Sequence, residues 1–498
     1  MNRKWLRRHL PLLLCVLLLA TNIGLVFRLR DMEENPTGDL PANTPFADNS
    51  QKGQITSDSS AESTSWKGWQ SVRAAEDTRL YDRADEAGDR VGKVSADSLC
   101  AVTARENDWV YVRSMTSAGW ARYSSFTPVG ELYMAHEPEQ IVPPQPLSVE
   151  HSARVDAIAE ENNAVGLTLA LIENGKVTRT HEYGLASIER SIPMTADTKI
   201  RIASISKVFT AMNAFAARDL GALTMEDDIG DILGYRVRNP RYEDTPITLN
   251  HLMTHTSSMY NIGYDNSIKQ SLLSNSTYSN SAPGSESAWC YNNFGSGVIG
   301  AVTEKALDMT LLDFSGQYFL DRMGIDAAYH AKDIEAQDKI ANLYVGSSLY
   351  RNVDAQLARV YPTTPGNSYA PYFGALTISA KDMASLITIL INDGEYNGEY
   401  YISPLSVEEM EQTQLNLDGF DQCSILRRQT DMYGGRTLFY HTGNAQGVLS
   451  FACYDEQKKD GLVVIATGMN HERRDVKGIY SVCGDIADYC YNSVLGVQ

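Results

Sequence analysis

The sequence is poor in cysteine, in metal-binding motifs and in positive charge. Its 498 residues include seven Cys, too few for a disulfide framework, and contain no C-x-x-C or H-E-x-x-H motif. Asp and Glu number 62 against 43 Lys and Arg, which gives a formal net charge of −19. A nucleic-acid-binding protein needs clustered Lys and Arg to replace the counterions of the phosphates. We therefore expect no metal site and no nucleic-acid partner.

Apolar runs long enough for a membrane span are scarce, and the candidate covers residues 10–27. As a helix this run would extend about 27 Å, close to the thickness of a bilayer core. More positive charge precedes it, in residues 3–8, than follows it, so the N-terminus should stay in the cytoplasm and the rest should lie outside the cell membrane. No A-x-A cleavage site follows the run. Residues 1–30 are therefore interpreted as a basic tail with an uncleaved, single-pass transmembrane anchor, with a cleaved signal peptide as the alternative.

Composition divides the remaining chain into two blocks separated by linkers. Residues 31–68 are mostly Ser, Thr, Asn, Asp, Gly and Pro, and cannot bury enough apolar surface to become ordered. Residues 129–147 contain EPEQIVPPQP and predict a stiffer, Pro-rich linker. The predicted domains are therefore residues 69–128 and residues 148–498.

The first block, residues 69–128, shows short alternating apolar runs separated by turn residues, a pattern typical of a small all-β barrel. The string TRLYDRADEAGDRVGKV…DWVYVRSMTSAGWARYSSF resembles bacterial SH3-like domains. The resemblance implies a spacer or a module that binds cell-wall peptides. Trp109 and Trp120 are expected in the barrel core, and Tyr81, Tyr111 and Tyr123 could line a ligand groove.

The second block alternates helical and strand patterns. Residues 148–162 show the pattern of an amphipathic helix. Asn174-Gly175, between two apolar runs, is the strongest short signal of a β-hairpin. Residues 447–467 predict a second hairpin, and a closing helix is expected from about Asp475 to Ser493. This order predicts an α/β (α+β) domain in which helices flank an antiparallel sheet.

Three short motifs in the second block carry side chains suited to acyl transfer. Ser204 and Lys207 form S-x-x-K, which on a helix places both side chains on one face with Cβ atoms about 5–6 Å apart. A Lys with a lowered pKa can accept the hydroxyl proton of the Ser. Tyr291, in Tyr-Asn-Asn293, offers a phenol that can relay a proton when an ammonium lies nearby.

The third motif is His441-Thr442-Gly443, at the start of a strand that runs to Tyr454. Gly at this place would let a substrate lie against the strand edge, and a nearby backbone N–H can help to stabilise an oxyanion. Each motif alone is more often structural. Their order along the chain is what favours an enzyme.

The ordered set S-x-x-K, Y-x-N and [KH]-T-G is similar to the signature of penicillin-recognising serine enzymes. The flanking strings ITLNHLMTHTS, YNNFGSGVIGAV and GALTISAKDM resemble the class C β-lactamase and DD-peptidase branch, from about Val149 to Val494. The resemblance implies a β-lactamase/DD-peptidase-like domain. No metal or organic cofactor is implied, since acyl transfer by this set needs none.

The resemblance also implies roles for individual residues. Ser204 would be the acylated nucleophile, and Lys207 and Tyr291 would share its proton. Asn293 would hydrogen-bond the substrate and Lys207. The N–H groups of Ser204 and Asn444 would form the oxyanion hole, and His441 and Thr442 would face the leaving side of the substrate, beside Gly443.

Two positions depart from the family pattern. The third motif begins with His441 instead of the Lys typical of β-lactamases, and His occurs there in certain DD-peptidases, D-aminopeptidases and esterases. The family's Thr-His-Thr-Ser-Gly turn ends in Ser258, so its backbone is expected to differ, and His255 within it is given a structural role. Cys290, beside Tyr291, is expected to be a buried thiol, and Cys423 and Cys453 could pair across neighbouring strands.

The leading hypothesis is a membrane-anchored, extracytoplasmic serine hydrolase with DD-carboxypeptidase-like activity on D-Ala-D-Ala cell-wall peptides. Arg427, Arg428 or Arg436 could hold a substrate carboxylate, or could simply add surface charge. A β-lactamase or a hydrolase of small esters or D-amino-acid amides is the alternative among enzymes. The alternative of another class is a sensor that binds wall fragments or β-lactams without turnover.

Overall fold

The computed structural model describes residues 65–262 and 267–495. The predicted membrane anchor and nearly all of the predicted linker 31–68 lie outside these residues. None of the helices in the described ranges is both long enough and apolar enough to cross a membrane.

Residues 66–134 form an antiparallel sheet with the strand order β3-β2-β6-β5-β4-β1-β7. The strands are β1 (Trp66–Ala74), β2 (Thr78–Tyr81), β3 (Arg90–Val94), β4 (Leu99–Glu106), β5 (Trp109–Arg113), β6 (Ala118–Arg122) and β7 (Phe126–Met134). Alternate side chains such as Val72, Leu80 and Val110 fill a small core of their own. Trp109 is buried as predicted, whereas Trp120 is only half-buried, with its ring 5.5 Å from that of Tyr111. The predicted all-β pattern is present, and the resemblance to SH3-like domains stays a prediction.

This β module extends beyond its predicted bounds at both ends. β1 begins at Trp66, and β7 continues to Met134 because its backbone pairs with β1. The predicted linker 129–147 therefore begins inside a strand. Its far end, β8 (Gln145–Pro146), pairs in parallel with a strand of the large domain.

The β module packs directly against the large domain. The Trp69 ring is 1% exposed and lies 6.5 Å from the ring of Tyr400, centroid to centroid. Nδ1 of His136, in the chain segment that follows β7, lies 2.8 Å from a carboxylate oxygen of Glu395. The module is thus held by side-chain contacts as well as by its linker.

The large domain is built on a sheet with the order β11-β10-β9-β23-β22-β21-β20-β19-β18, which is antiparallel apart from the β8 pairing with β10. Its remaining strands are β9 (Gly166–Glu173), β10 (Lys176–Ser187), β11 (Ile192–Pro193), β18 (Leu415–Leu417), β19 (Phe420–Gln422), β20 (Arg427–Gln429), β21 (Leu438–Ala445), β22 (Val448–Asp455) and β23 (Asp460–Thr467). Two-stranded pairs are formed by β12 (Ile200–Arg201) with β15 (Thr377–Ile378), β13 (Leu343–Val345) with β14 (Ser348–Arg351), and β16 (Glu395–Tyr396) with β17 (Glu399–Tyr400).

Both predicted hairpins are confirmed. Asn174 and Gly175 join β9 to β10 with φ angles of 52° and 72°, the left-handed conformation that a two-residue hairpin turn requires. β22 and β23 form the second hairpin. These pairings bring β23 beside β9 at the centre of the sheet.

Helices cover both faces of this sheet. They are α1 (Val149–Glu161), α2 (Ser206–Asp219), α3 (Ile229–Leu233), α4 (Leu249–Met253), α5 (Ile268–Leu273), α6 (Asn293–Leu307), α7 (Leu311–Ser315), α8 (Asp321–Met323), α9 (Val353–Leu357), α10 (Ala380–Ile391), α11 (Pro404–Glu411) and α12 (Ser481–Ser493). Along β9, Leu169 and Leu171 pack with α1 and α12, whereas Ala170 and Ile172 belong to the larger core that contains α2, α6 and α10. The predicted α/β architecture is therefore confirmed.

The closing helix α12 begins at Ser481 and not near Asp475, as predicted. Asp475 forms a turn in which its backbone N–H donates to the carbonyl of Ile479 at 2.8 Å and its carboxylate accepts the Lys477 N–H at 3.0 Å. A side chain that binds nearby backbone N–H groups competes with helix formation. Cys423 and Cys453 are free buried thiols, so the pairing considered for them does not occur.

The burial of α2 leads to a prediction about stability. Phe209 is fully buried, and its ring lies 5.4 Å from Phe319 and 6.1 Å from Tyr329. Phe209→Ala should lower the free energy of unfolding by about 3–5 kcal/mol, because it leaves a cavity in this cluster. Urea denaturation measures this change. Val149→Ala, at a side chain 88% exposed, should stay within about 0.5 kcal/mol of wild type, and equal effects of the two variants would contradict the prediction.

Candidate active site

Ser204 lies in a 3₁₀ turn, Ala203–Ile205, that leads into α2. Ala203 has φ of 54°, a left-handed conformation that is uncommon for residues other than Gly and is often found at functional sites. The turn is held by Ser206, whose hydroxyl donates to the Ala203 carbonyl at 2.6 Å and accepts the Leu376 N–H at 3.2 Å. This arrangement points the Ser204 hydroxyl at Lys207.

Lys207 is the buried partner of Ser204. Its Nζ lies 2.8 Å from Ser204 Oγ and donates to the Phe373 carbonyl at 2.7 Å, and the residue is 1% exposed. Burial lowers the pKa of Lys207 well below its ordinary value, because water cannot solvate the charged form. A neutral amine at hydrogen-bond distance can accept the Ser204 proton.

Tyr291, just before α6, faces the Lys207 amine with its ring. Its ring centroid is 5.2 Å from Lys207 Nζ and 5.8 Å from the guanidinium carbon of Arg427. Asn292, at the N-cap of α6, accepts the Gly295 N–H at 3.0 Å and fixes the start of the helix. The structure therefore brings Ser204, Lys207 and Tyr291 together, as their motifs predict.

Asn261 holds this loop in place, and sequence reasoning missed it. Its side-chain amide donates to the Tyr291 carbonyl at 3.0 Å, and its oxygen accepts the Asn293 N–H at 2.6 Å. Asn261 belongs to no motif and lies about thirty residues before Tyr291, so no local signal could have identified it. The side-chain oxygen of Asn293 is buried without a hydrogen-bond partner among the described residues, which leaves it available to a substrate N–H.

The third motif lies on β21, next to the Ser204 turn. A Cβ atom on Gly443 would lie 2.8 Å from the Ile202 carbonyl oxygen and 3.1 Å from the Ser204 nitrogen, so only Gly permits this approach. The structure requires Gly443 for packing within the protein, and the predicted approach of a substrate to this strand edge stays a prediction. Thr442 and Asn444 are half-buried on the same strand, and their roles toward a substrate stay predictions.

His441 is a buried neutral imidazole. It is 3% exposed, its Nδ1 lies 2.7 Å from the Thr442 carbonyl, and its ring centroid is 6.1 Å from that of Tyr291. Burial, followed by the charges of Lys207 and Arg427, lowers the pKa of His441 well below its ordinary value. The third motif therefore contributes no positive charge at neutral pH.

Among the three arginines considered as carboxylate ligands, Arg427 faces the site. Its guanidinium lies 4.2 Å from the Phe420 ring as well as near Tyr291. Arg428 pairs with Asp421 at 3.0 Å, and Arg436 is 3.1 Å from an oxygen of Asp460.

The Thr254–Ser258 turn packs beside Tyr291. Ser258 has φ of 59°, the left-handed region that favours the Gly of the family pattern, and its hydroxyl accepts a hydrogen bond from Asn239 at 3.1 Å. Cys290 is exposed, so the prediction of a buried thiol is wrong. Within the described ranges, the structure shows no group of three or more His, Cys, Asp or Glu side chains arranged to hold a metal ion.

Residues 152–482 match the sequence profile of the family described as Beta-lactamase, so the chain belongs to this family. The predicted family is thereby confirmed. Proteins that are similar in sequence to parts of this chain include a beta-lactamase of Providencia stuartii and a D-alanyl-D-alanine-carboxypeptidase/endopeptidase.

Individual relatives are distant. Penicillin-binding protein 4* of Bacillus subtilis (strain 168) is 25% identical over 172 residues, 32% of this chain and 36% of that protein. The D-alanyl-D-alanine-carboxypeptidase/endopeptidase AmpH of Escherichia coli (strain K12) is 29% identical over 138 residues, 28% of this chain and 35% of that protein. The chain thus matches only about a third of the length of these curated relatives.

Solved structures show the same fold. A class C beta lactamase from Rhodobacter sphaeroides has a TM-score of 0.53 at 20% identity, covering 70% of this chain and 99% of that one. A Beta-Lactamase/D-Alanine Carboxypeptidase from Pseudomonas syringae has a TM-score of 0.55 at 19% identity, covering 70% and 98%.

The contacts of Asn261 predict an effect on catalysis. Asn261→Ala removes three hydrogen bonds, to the backbone of Tyr291, Asn293 and Phe294, each worth about 0.5–1.5 kcal/mol. If the transition state needs the Tyr291 loop held in its observed position, loss of these hydrogen bonds should lower kcat about tenfold. Steady-state hydrolysis of a p-nitrophenyl ester measures this, with Asn275→Ala, at an exposed Asn of a neighbouring loop, as the control. Equal kcat for the two variants would show that Asn261 does not position the loop.

The lowered pKa of Lys207 predicts how stability depends on pH. An unfolded Lys binds a proton up to about pH 10.4, whereas the buried amine loses its proton at a lower pH, so unfolding takes up a proton between these values. Relative to Lys207→Met, which binds no proton, wild-type stability should therefore rise with pH in this window, by up to about 1.4 kcal/mol per unit. Urea unfolding of both proteins from pH 6 to 9 measures the difference. Parallel curves would mean that Lys207 is charged in the folded protein.

Proposed function

We propose that the protein is a membrane-anchored, extracytoplasmic serine hydrolase that acts as a DD-carboxypeptidase on peptides ending in D-Ala-D-Ala. The observation that carries this proposal is the Arg427 guanidinium beside Tyr291, in a site where His441 is neutral. A carboxypeptidase must bind the terminal carboxylate of its substrate. Arg427 offers the planar, permanently charged group that suits this task.

Acylation begins with the Ser204–Lys207 pair. Ser204 Oγ transfers its proton to Lys207 Nζ, 2.8 Å away, and attacks the carbonyl carbon of the penultimate D-Ala. Backbone N–H groups of the Ser204 turn and of β21 would stabilise the oxyanion. The C–N bond then breaks, the amine of the terminal D-Ala takes up a proton through Tyr291, and the acyl group remains on Ser204.

Deacylation reverses these proton transfers with water as the nucleophile. Water gives a proton to the Lys207–Tyr291 pair and its oxygen to the acyl carbon, and Ser204 Oγ regains a proton as the shortened peptide leaves. No redox step or cofactor is needed to balance the reaction.

Arg427 differs from Arg428 and Arg436 in its ionic partners. Arg428 and Arg436 form ion pairs with carboxylates of the protein, whereas Arg427 forms none within the described part of the chain and lies over the rings of Tyr291 and Phe420. In β-lactamases the first position of the third motif is typically Lys. Here that position is a neutral His, so Arg427 supplies the positive charge that would attract a carboxylate.

The names of two relatives support the same substrate class. AmpH of Escherichia coli is described as a D-alanyl-D-alanine-carboxypeptidase/endopeptidase, and the Pseudomonas syringae structure as a Beta-Lactamase/D-Alanine Carboxypeptidase. The basic and apolar N-terminal residues support an anchor that leaves the catalytic domain outside the cell. An open groove of about 550 Å³ on the β module, lined in part by Arg105, Arg122 and Tyr123, is where we place a cell-wall peptide ligand.

Three substrates separate the possible activities. The purified protein is incubated with an acylated Lys-D-Ala-D-Ala peptide, a penicillin and a p-nitrophenyl ester, and both product and protein mass are followed. Release of D-Ala that is lost in Ser204→Ala would support the proposal. Turnover of penicillin or ester alone would indicate a β-lactamase or esterase, and a lasting adduct without turnover would indicate a sensor. Full turnover by Ser204→Ala would contradict the mechanism.

Arg427→Ala tests the recognition of the carboxylate. KM for the D-Ala-D-Ala peptide should rise at least tenfold, because a charge-assisted hydrogen bond contributes about 1.5–3 kcal/mol. KM for the ester, which has no carboxylate, should change little. Arg428→Ala is the matched control and should leave both values unchanged. An equal loss for peptide and ester in Arg427→Ala would contradict carboxylate binding.

A further inference from the structure

The ring of Tyr291 lies against a second buried imidazole, that of His255. The two ring centroids are 4.9 Å apart with an angle of 60° between the planes, closer than Tyr291 is to His441. His255 is 3% exposed. It therefore packs on the catalytic phenol from within the protein.

The contact between His255 and Tyr291 is a contact of rings. Neither ring nitrogen of His255 has a hydrogen-bond partner among the described residues, although both are buried. Burial, followed by the charges of Lys207 and Arg427, lowers the pKa of His255 to about 3. The imidazole is thus neutral at pH 7, and the Tyr291 ring that it contacts is the ring that lies 5.2 Å from Lys207 Nζ.

The backbone also fixes His255 relative to Tyr291. His255 has φ of 60°, and its carbonyl accepts the Cys290 N–H at 2.9 Å. The residue adjoining Tyr291 is therefore hydrogen-bonded to the residue whose ring contacts Tyr291. A shift of His255 would move the phenol.

We propose that His255 is a positioning residue whose buried ring closes the inner side of the Ser204–Lys207–Tyr291 cluster, excluding water from the amine and holding the phenol in place. This inference rests on the proposed function only in so far as Ser204 and Lys207 carry out the hydrolysis.

Loss of the His255 ring should change the pH dependence of acylation. The groups that face Lys207 Nζ are Ser204 Oγ, the Phe373 carbonyl and ring, and the Tyr291 ring. The titratable and charged groups that lie against that Tyr291 ring are His255, His441 and Arg427. Burial is the cause of the lowered pKa of Lys207. If removal of the His255 ring admits water, that pKa must rise, and less of the amine is then neutral at pH 7.

The test compares His255→Ala with His255→Phe. Labelling of Ser204 by a fluorophosphonate probe, followed by protein mass from pH 5 to 10, reports the reactivity of the Ser without need of the natural substrate. In His255→Ala the acid limb of the rate profile should move up by about one pH unit, and the rate at pH 7 should fall about tenfold. His255→Phe keeps a ring and breaks no hydrogen bond, so it should restore the wild-type profile. His255→Leu serves as the second apolar variant if Phe does not fold.

His330→Ala is the matched control for the general effect of removing a buried His ring. His330 is 2% exposed, and its ring stacks on Tyr361 at 4.8 Å, outside the catalytic cluster. This variant should lower the melting temperature but leave the rate profile in place. A wild-type profile in His255→Ala would overturn the proposal, and so would a His255→Phe profile as displaced as that of Ala. Failure of the wild-type protein to label at Ser204 would instead contradict the proposed function.

Discussion

The site depends on one buried contact, in which the Lys207 amine lies between Ser204 Oγ and the Phe373 carbonyl where water does not reach it. Burial of an amine without a carboxylate disfavours its charged form, so this arrangement costs stability and supplies a base at the same time. α2 is buried on every side from Ser206 to Ala217, which is unusual for a helix of a soluble domain. The helix lies in the larger core, and its first turn, which carries Lys207, is shielded from water.

Features that depend on neighbours in the sequence could be predicted from it. The spacing of Ser204 and Lys207 is enough to place them on one helical face, and Asn174-Gly175 is enough to define a hairpin. Contacts between segments that are distant along the chain could not be predicted, because they leave no local pattern in the sequence. Nothing local indicates that Asn261 binds the backbone of the Tyr291 loop, or that Gly443 is needed because β21 approaches the Ser204 turn.

In the β module, too, local features could be predicted from the sequence and contacts with distant residues could not. Its strands were predictable, because alternation of apolar and polar residues marks one buried face. The alternation does not reveal that an outward-facing side chain is covered by another domain. Trp69 belongs to β1 yet packs with the core of the large domain, so a block that looks separate in sequence is joined to its neighbour by side-chain packing.

The electrostatics of the site are opposite to those of the chain. The chain carries a formal charge of −19, yet the permanently charged guanidinium of Arg427 lies beside Tyr291. Burial lowers the pKa of Lys207, and burial followed by repulsion from Lys207 and Arg427 lowers the pKa of His441 and of His255. This arrangement separates two tasks that would conflict in a single residue. A group that binds a carboxylate must stay charged, whereas a group that accepts a proton must be neutral beforehand. Because the charge of Arg427 further disfavours protonation of the two imidazoles, the same guanidinium that suits a carboxylate also keeps the surroundings of the Lys207 base uncharged.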